Sequence, residues 1–136
     1  MILCDAGPLV ALLDNGQPEP HQKCLNALPR VTMPLVTTWP CFAEAMYLLG
    51  RNLGYPGQEA LWQMRASGRL VLHESSQDEA NRMATLMAQY RDTPMDLADA
   101  SLVTAAERLK LTCVFTLDHH FYAYRTLDGN ALDVVP

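Results

Sequence analysis

The sequence predicts an α/β protein in which helices cover both faces of a parallel sheet. Two observations predict this class. Short apolar and β-branched segments alternate with helical ones along the 136 residues, as in chains built from strand–helix–strand units. The first apolar segment, residues 1–4, stops directly at the carboxylate of Asp5. Such a strand carries its carboxylate to the carboxyl edge of the sheet, where open parallel sheets bind ligands.

Five segments are predicted as strands, because each is short and mainly apolar or β-branched. They are residues 1–4, 35–37, 69–73, 112–116 and 132–135. Six segments are predicted as helices from apolar periodicity or from Pro and Gly at their limits. They are residues 9–13, 18–28, 38–49, 58–66, 77–90 and 97–110. Residues 54–57 are predicted as a loop, and residues 121–125 as a short helix or loop.

Two helix starts have recognisable capping patterns. Ser76 and Glu79 fit a capping box, in which each side chain binds the backbone N–H of the other. Thr38 stands near the N-cap of a helix with Pro40 in its first turn, where a missing N–H costs nothing. These patterns predict where the third and fifth helices begin.

The composition predicts one globular domain over residues 1–136. Hydrophobic residues make up 49% of the chain, but no apolar stretch approaches the ~20 residues of a membrane span. No basic segment precedes an apolar one at the N-terminus, so we expect a cytoplasmic protein without a signal peptide. The four cysteines form no C-x-x-C pair, which favours buried free thiols over a zinc or redox site.

The formal net charge of −5 argues against a protein that coats nucleic acid by general electrostatic attraction. It says less about an enzyme that meets an anionic substrate through bound metal ions, because such ions change the local charge. An enzyme of that kind needs a cluster of acidic ligands.

Four acidic residues occur in apolar surroundings. Asp5 and Asp118 each follow a predicted strand, and Asp99 stands in the first turn of its helix, on the core-facing side. Glu44 is the only charged residue between residues 39 and 49, a segment so apolar that we expect a buried helix. A buried glutamate needs a partner, a metal or a shifted pKa, because an unpaired buried charge is very costly.

Four carboxylates at one sheet edge repel one another, which raises their pKa values. A divalent cation that prefers oxygen ligands, Mg²⁺ or Mn²⁺, relieves this repulsion. Acidic clusters that hold one or two such ions activate water and neutralise the charge that develops on a phosphodiester. The pattern therefore predicts a metal-dependent hydrolase.

Structural roles explain some of the same acids without a metal. Asp5 is placed to cap the helix after it, and Asp118 to stabilise a turn. Glu44 can instead pair with a buried arginine such as Arg51.

Asp96 and Asp99 also fit a capping arrangement, with Asp96 at the N-cap and Asp99 at N3. We favour the cap for Asp96 and a functional role for Asp99, whose position faces the core. The neighbouring His119 and His120 either contact a metal or phosphate or are solvated loop residues.

Four stretches together resemble the PIN domain, and more narrowly the VapC-type toxins of bacterial toxin–antitoxin pairs. They are ILCDAGPLVALLD, TTWPCFAEAMYLL, PMDLADASLVTAAERLKL and VFTLDHHF, in order from residue 2 to residue 121. The resemblance implies a three-layer α/β/α sandwich with a parallel sheet of four or five strands. It also implies a Mg²⁺- or Mn²⁺-dependent endoribonuclease that cleaves RNA, is bound by a cognate antitoxin and forms a homodimer.

The resemblance implies roles for single residues as well. Asp5, Glu44, Asp99 and Asp118 match the family's acidic positions, so they are the expected catalytic residues and metal ligands. Under this hypothesis Asp5 and Asp99 hold the principal ion, and the other two act through water or a second ion. Thr116 matches a hydroxyl that supports the site.

Two positions depart from the family pattern. His120 stands where many relatives carry a second acid, and Gly7 stands where they often carry a small hydroxyl or amide side chain. Asp96 is an additional acid close to the site. Asp96, Thr116 and His120 are therefore candidate supporting residues, and the sequence leaves open whether the site holds one ion or two.

Two other functions are compatible with an α/β domain of this kind. A non-catalytic PIN-like module would bind RNA or protein without cleaving it. A receiver-like or phosphatase-like domain is disfavoured, because aspartyl phosphatases need an aspartate at the position of Gly7 and neither lysine is placed for a receiver.

Overall fold

The computed structural model describes residues 1–136 and contains a five-stranded parallel sheet. Its strands are β1 (Ile2–Cys4), β2 (Leu35–Thr38), β3 (Leu70–His73), β4 (Cys113–Phe115) and β5 (Asp133–Val135). Their order in the sheet is β3-β2-β1-β4-β5, with every pair parallel. All five predicted strands are therefore confirmed, and the first strand occupies the centre.

Six α-helices connect the strands. They are α1 (Ala6–Leu13), α2 (Pro18–Ala27), α3 (Trp39–Leu53), α4 (Tyr55–Ala66), α5 (Gln77–Gln89) and α6 (Leu97–Leu109). Two 3₁₀ turns, Leu28–Arg30 and His119–Tyr122, complete the regular structure. No helix is both long and apolar enough to span a membrane.

The helices form a layer on each face of the sheet. Successive strand side chains point to opposite faces, so Ile2 and Cys4 face one layer and Leu3 the other. The first core holds apolar residues of α1 to α4, and the second holds mainly residues of α5 and α6. This arrangement confirms the three-layer α/β/α sandwich.

The capping box at the start of α5 is confirmed. The Ser76 hydroxyl accepts from the Glu79 N–H at 3.2 Å, and the Glu79 carboxylate accepts from the Ser76 N–H at 3.3 Å. The same carboxylate lies 2.8 Å from Nε2 of His73, at the end of β3. One glutamate thus fixes the connection between β3 and α5.

Three predicted boundaries were wrong. Helix α3 continues through Gly50 to Leu53, beyond its predicted end at residue 49. The expected loop at residues 54–57 is a single break at Gly54, whose φ of +72° favours glycine, and α4 begins at once with Tyr55. Gly57 belongs to this helix, and a glycine fits there because a Cβ would lie 3.0 Å from the Leu49 carbonyl oxygen. Helix α1 starts three residues earlier than predicted, since Pro8 is compatible with a first helical turn.

All four cysteines are free thiols, as expected. Cys4, Cys24 and Cys41 are buried, and Cys113 is half-buried.

Candidate active site

The site is built where β1 and β4 end side by side. Cys4 pairs with Phe115 in the parallel ladder, and the Asp5 N–H donates to the Phe115 carbonyl at 2.9 Å. The segments that follow β1 and β4 therefore leave the sheet side by side. Asp5 follows β1, and Thr116 follows β4. Backbone pairing alone brings residues 111 positions apart into contact.

Asp5 is buried, and both of its carboxylate oxygens accept hydrogen bonds. Oδ1 accepts from the Ala6 N–H at 2.8 Å, which makes Asp5 the N-cap of α1. Oδ2 accepts from Thr116 Oγ1 at 2.8 Å. The same Thr116 oxygen accepts from the Asp118 N–H at 3.0 Å. The capping interpretation of Asp5 is confirmed, and Thr116 links it to the chain that carries Asp118.

Cys41 lies against the other side of Asp5. Its Sγ donates to Asp5 Oδ1 at 3.8 Å and to the Ala98 carbonyl at 3.6 Å. Burial and then the Asp5 carboxylate hold the pKa of this thiol far above its ordinary value, so it stays a neutral donor. The thiol therefore supports the Asp5 carboxylate as a hydrogen-bond donor.

Asp96 and Asp99 begin α6. Asp96 is the N-cap, and its Oδ1 accepts from the Asp99 N–H at 2.8 Å, so the predicted cap is confirmed. Asp99 is buried, and its Oδ2 accepts from the Tyr124 hydroxyl at 3.1 Å. The Pro94 carbonyl shares the single proton of that hydroxyl with Asp99, which ties the turn before α6 to the same tyrosine.

Glu44 differs from the sequence expectation, because it is exposed rather than buried. Helix α3 buries Cys41, Phe42, Ala45 and Leu49 against the cores, and Glu44 lies on its opposite side with Tyr47, which is 66% exposed. Although the helix is apolar nearly all round, part of its apolar surface faces solvent. The alternative of an ion pair with Arg51 is also wrong, since no such pair forms.

The carboxylates are close enough to change one another's ionisation. Burial raises the pKa of Asp5 most, and the hydrogen bonds from Thr116 and Ala6 partly offset this. The charges of Asp118 and Asp96 raise it further. Partial burial raises the pKa of Glu44, and the charges of the three aspartates at positions 5, 96 and 118 add to it.

Asp99 is the most perturbed acid. Burial raises its pKa to about 7, and the charges of Asp96 and then Asp5 contribute. Burial, then Asp99 itself, raises the pKa of Tyr124, so the phenol remains protonated and donates. No lysine or arginine forms an ion pair with any of these carboxylates, which leaves the cluster uncompensated within the chain.

The donor set fits a divalent cation that prefers oxygen ligands. Such an ion stabilises mutually repelling carboxylates that have no lysine or arginine partner. The charges of Asp5, Glu44, Asp96, Asp99 and Asp118 influence one another's pKa values. No three of these carboxylates, however, have oxygens that all lie within 4.8 Å of one another. The group of three that does so is Asp118, His119 and His120. Asp118 Oδ1 caps the 3₁₀ turn by accepting from the His120 N–H at 2.9 Å.

The sequence pattern did not point to Tyr124 or Cys41. Tyr124 follows the 3₁₀ turn in a segment without clear periodicity, and only the folded structure brings it to Asp99, 25 positions earlier. The cysteine pattern predicts Cys41 only as a buried free thiol, and this is confirmed. Its position one helical turn before Glu44 was the only sequence feature that related it to the site.

Comparison with known proteins supports the resemblance seen in the motifs. No protein-family model matches the chain. A curated relative, Ribonuclease VapC26 of Mycobacterium tuberculosis, is 27% identical over 136 residues, which cover 99% of this chain and 100% of the relative. The resemblance to VapC-type proteins therefore extends over the full length.

Solved structures confirm the fold. The Sarcin-Ricin loop cleaving toxin VapC20 of Mycobacterium tuberculosis superposes with a TM-score of 0.85 at 16% identity, over 100% of both chains. A chain of a toxin–antitoxin complex from Klebsiella pneumoniae gives 0.69 at 20% identity, over 100% of this chain and 97% of the other. FitAcB from Neisseria gonorrhoeae gives 0.64 at 19% identity, over the same shares.

Proposed function

We infer that this chain is a VapC-type PIN-domain ribonuclease, an endoribonuclease that hydrolyses RNA phosphodiesters as the toxin of a toxin–antitoxin pair. The observation that carries this inference is the full-length likeness to Ribonuclease VapC26. The uncompensated acidic cluster at the end of β1 and β4 supports it, because phosphodiester hydrolysis with metal ions requires such a cluster.

The cofactor that we propose is a divalent metal ion, Mg²⁺ or Mn²⁺. Asp5 and Asp99 would hold the principal ion, and Glu44 and Asp118 would complete the site through water or a second ion. When bound, the metal supplies a water of lowered pKa and stabilises the charge on the phosphate. Asp96 keeps one oxygen in its cap and is a supporting residue under this proposal.

The side chains around the acids position them for this chemistry. Thr116 donates to Asp5 Oδ2 and holds the Asp118 N–H, so two acids are oriented by one hydroxyl. Tyr124 donates to Asp99 Oδ2 and fixes that carboxylate at the start of α6. Asp5, Asp99 and Asp118 each keep carboxylate lone pairs that these hydrogen bonds do not use and that a ligand can accept. The exposed Glu44 lies at the rim, where an RNA strand has access.

We propose a cognate antitoxin as the physiological partner. A solved relative is a chain of a toxin–antitoxin complex, which suggests the same kind of assembly for this chain. The exposed aromatic side chains of α3 and α4, such as Tyr47, Tyr55 and Trp62, offer an apolar surface for a partner or for a second copy. We propose homodimerisation and a cytoplasmic location on the same resemblance.

The decisive experiment compares cleavage of RNA by the wild-type protein and by Asp5→Asn, each with Mg²⁺ or Mn²⁺. We expect metal-dependent cleavage by the wild type and loss of cleavage in the variant, because the substitution removes a ligand charge at the centre of the cluster. Asp92→Asn is the matched control, since Asp92 is exposed in the turn after α5. Equal activity of wild type and Asp5→Asn would contradict the proposal.

A second candidate function is a PIN-like module that binds RNA or protein without cleavage. The exposed position of Glu44 and the histidine at position 120 favour it, because both weaken a four-acid metal site. Retention of labelled RNA by the wild-type protein without cleavage in either metal would support this alternative.

A further inference from the structure

A group of metal-ligand atoms that shares only Asp118 with the predicted four-acid set lies on the edge of the site. Ligand atoms of Asp118, His119 and His120 are all within 4.8 Å of one another. Two of these residues are histidines, so the group offers nitrogen as well as oxygen. The two imidazole rings lie side by side, with centroids 4.4 Å apart and a tilt of 31°.

Hydrogen bonding fixes the orientation of one ring. Nδ1 of His120 lies 2.7 Å from Asp118 Oδ1, and Nε2 has no hydrogen bond within the chain. Metal-binding histidines commonly show this arrangement, in which a carboxylate holds one ring nitrogen and leaves the other for the ion. The Asp118 and His120 side chains are 32% and 34% exposed, so the pair faces the solvent side of the site.

The pair is connected to the centre of the acidic cluster. The Asp118 N–H donates to Thr116 Oγ1 at 3.0 Å, and that hydroxyl donates to Asp5 Oδ2 at 2.8 Å. Two hydrogen bonds therefore relate the histidine-bearing turn to the first acid. A cap for this turn needs only the Asp118 carboxylate and the His120 N–H, so capping does not account for the ring contact.

We propose that His120 supplies an imidazole ligand to the metal site, which makes the protein select a transition metal such as Mn²⁺, Co²⁺ or Zn²⁺ over Mg²⁺. This inference rests on the proposed metal-dependent function and names the class of ion. Imidazole suits transition metals, whereas Mg²⁺ is bound mainly by carboxylate, carbonyl and water oxygens. Under this proposal Asp118 contributes to metal binding in part by orienting the His120 imidazole.

The test is pulsed electron paramagnetic resonance of the chelator-treated protein reloaded with Mn²⁺. A directly bound nitrogen produces a ¹⁴N coupling in the Mn²⁺ spectrum. We expect this coupling in the wild type and its loss in His120→Asp and His120→Gln. His21→Gln is the control, because Nδ1 of His21 binds the Ala11 carbonyl in the α1–α2 region, and it should keep the coupling.

Titration calorimetry gives a second measurement. The preference for Mn²⁺ over Mg²⁺, taken as the ratio of their dissociation constants, should fall by about 10-fold or more in His120→Asp. A wild-type protein without ¹⁴N coupling overturns the proposal, as does a coupling that survives both substitutions of His120. RNA cleavage is scored separately: its absence with the coupling present would contradict the ribonuclease, and its presence without the coupling would contradict only the nitrogen ligand.

Discussion

At the scale of single residues, one hydroxyl organises much of the site. Thr116 Oγ1 donates to Asp5 and accepts from the Asp118 N–H, and it is buried. A buried hydroxyl with both functions satisfied contributes stability, and its removal leaves a buried N–H and a carboxylate oxygen unpaired. Thr116 is therefore expected to affect both folding and activity.

Thr116→Val tests this double role. We expect the free energy of unfolding to fall by about 1–3 kcal/mol and cleavage to fall by on the order of 10- to 100-fold, as for other residues that orient metal ligands. Thr104→Val is the matched control, because Thr104 is equally buried but donates to the Ser101 carbonyl within α6. A similar loss of cleavage in both variants would show that Thr116 acts only through stability.

The raised pKa of Asp99 has a consequence for stability. Its ordinary value is 3.8, and burial with the nearby carboxylates raises it to about 7. Between these values the folded protein binds more protons than the unfolded chain, so the free energy of unfolding of the metal-free protein falls as pH rises from about 4 to about 7. Above that range Asp99 is ionised in the folded protein as well, and its contribution to the loss of unfolding free energy is complete.

Asp99→Asn should remove this dependence while it keeps the shape and the acceptor for Tyr124. In metal-free protein at about pH 8, we expect the free energy of unfolding to rise by on the order of 2 kcal/mol, and to change little at about pH 4. Urea unfolding at both pH values measures the difference. A variant that is destabilised equally at the two values would refute the role of the Asp99 charge.

The residue scale also shows what the sequence could predict. Asp5 and Asp118 follow apolar strands, so their position at the carboxyl edge of a parallel sheet was predictable from the sequence. Tyr124 could not be found in this way, because its contact with Asp99 depends on how the chain turns after β4. Local patterns predict which residues end a strand, but not which side chains a return loop brings back.

At the scale of elements, the start of α6 combines a structural and a functional residue. Asp96 caps the helix with one oxygen, and Asp99 follows it into the site. The cap satisfies a backbone N–H that helix formation leaves free, and it also presents a negative charge to the positive end of the helix. The charge of Asp96 has one role in capping α6, and a second role as a metal ligand can be tested separately.

Two substitutions separate these roles. Asp96→Asn retains the cap, so we expect stability to change by less than about 0.5 kcal/mol and cleavage to stay near the wild-type value. Asp96→Ala removes the cap and should cost about 1 kcal/mol. Thermal unfolding and an RNA cleavage assay decide between them. If Asp96→Asn folds normally but no longer cleaves, Asp96 is a metal ligand.

Helix α3 shows why one element was misjudged. Its apolar composition predicted burial, yet Trp39 and Tyr47 are 42% and 66% exposed, and Glu44 shares the exposed side. Phe42 makes an edge-on contact with Trp39 within α3 and another with Trp62, which joins α3 to α4 without covering this surface. Composition measures how much apolar surface a helix has, but only packing decides which part is covered.

At the scale of the whole molecule, the acidic cluster is an electrostatic cost that the metal-free fold carries. The chain has a formal charge of −5, and its central acids form no ion pair with a lysine or arginine. A cation bound only by the folded state stabilises that state by mass action. Stability should therefore respond to divalent metal even when no RNA is present.

We expect saturating Mn²⁺ to stabilise the chelator-treated wild type, by about 2.7 kcal/mol at a hundredfold excess over its dissociation constant. Asp5→Asn should show a much smaller response, because it lacks a central ligand. Thermal unfolding measures both, with NaCl of equal ionic strength as the control for screening. An equal shift of wild type and variant would place the metal elsewhere.

The overall fold was largely predictable because its pattern is repetitive. Apolar strands between helices predict a parallel sheet, and the five predicted strands were all found. The exact register, such as Leu3 opposite Val36 and Val114, depends on packing of both cores and has no local signature. The same holds for the position of β1 at the centre, which determines where the acids meet.

The central position of β1 also bears on how the protein is made in the cell. A ribosome that has translated as far as α6 has already produced Asp5, Glu44 and Asp99, but neither β4 nor the hydroxyl of Thr116 that holds Asp5. The nascent chain cannot complete the site until its last strands leave the exit tunnel. The order of synthesis therefore places the assembly of the site after β4 has formed beside β1.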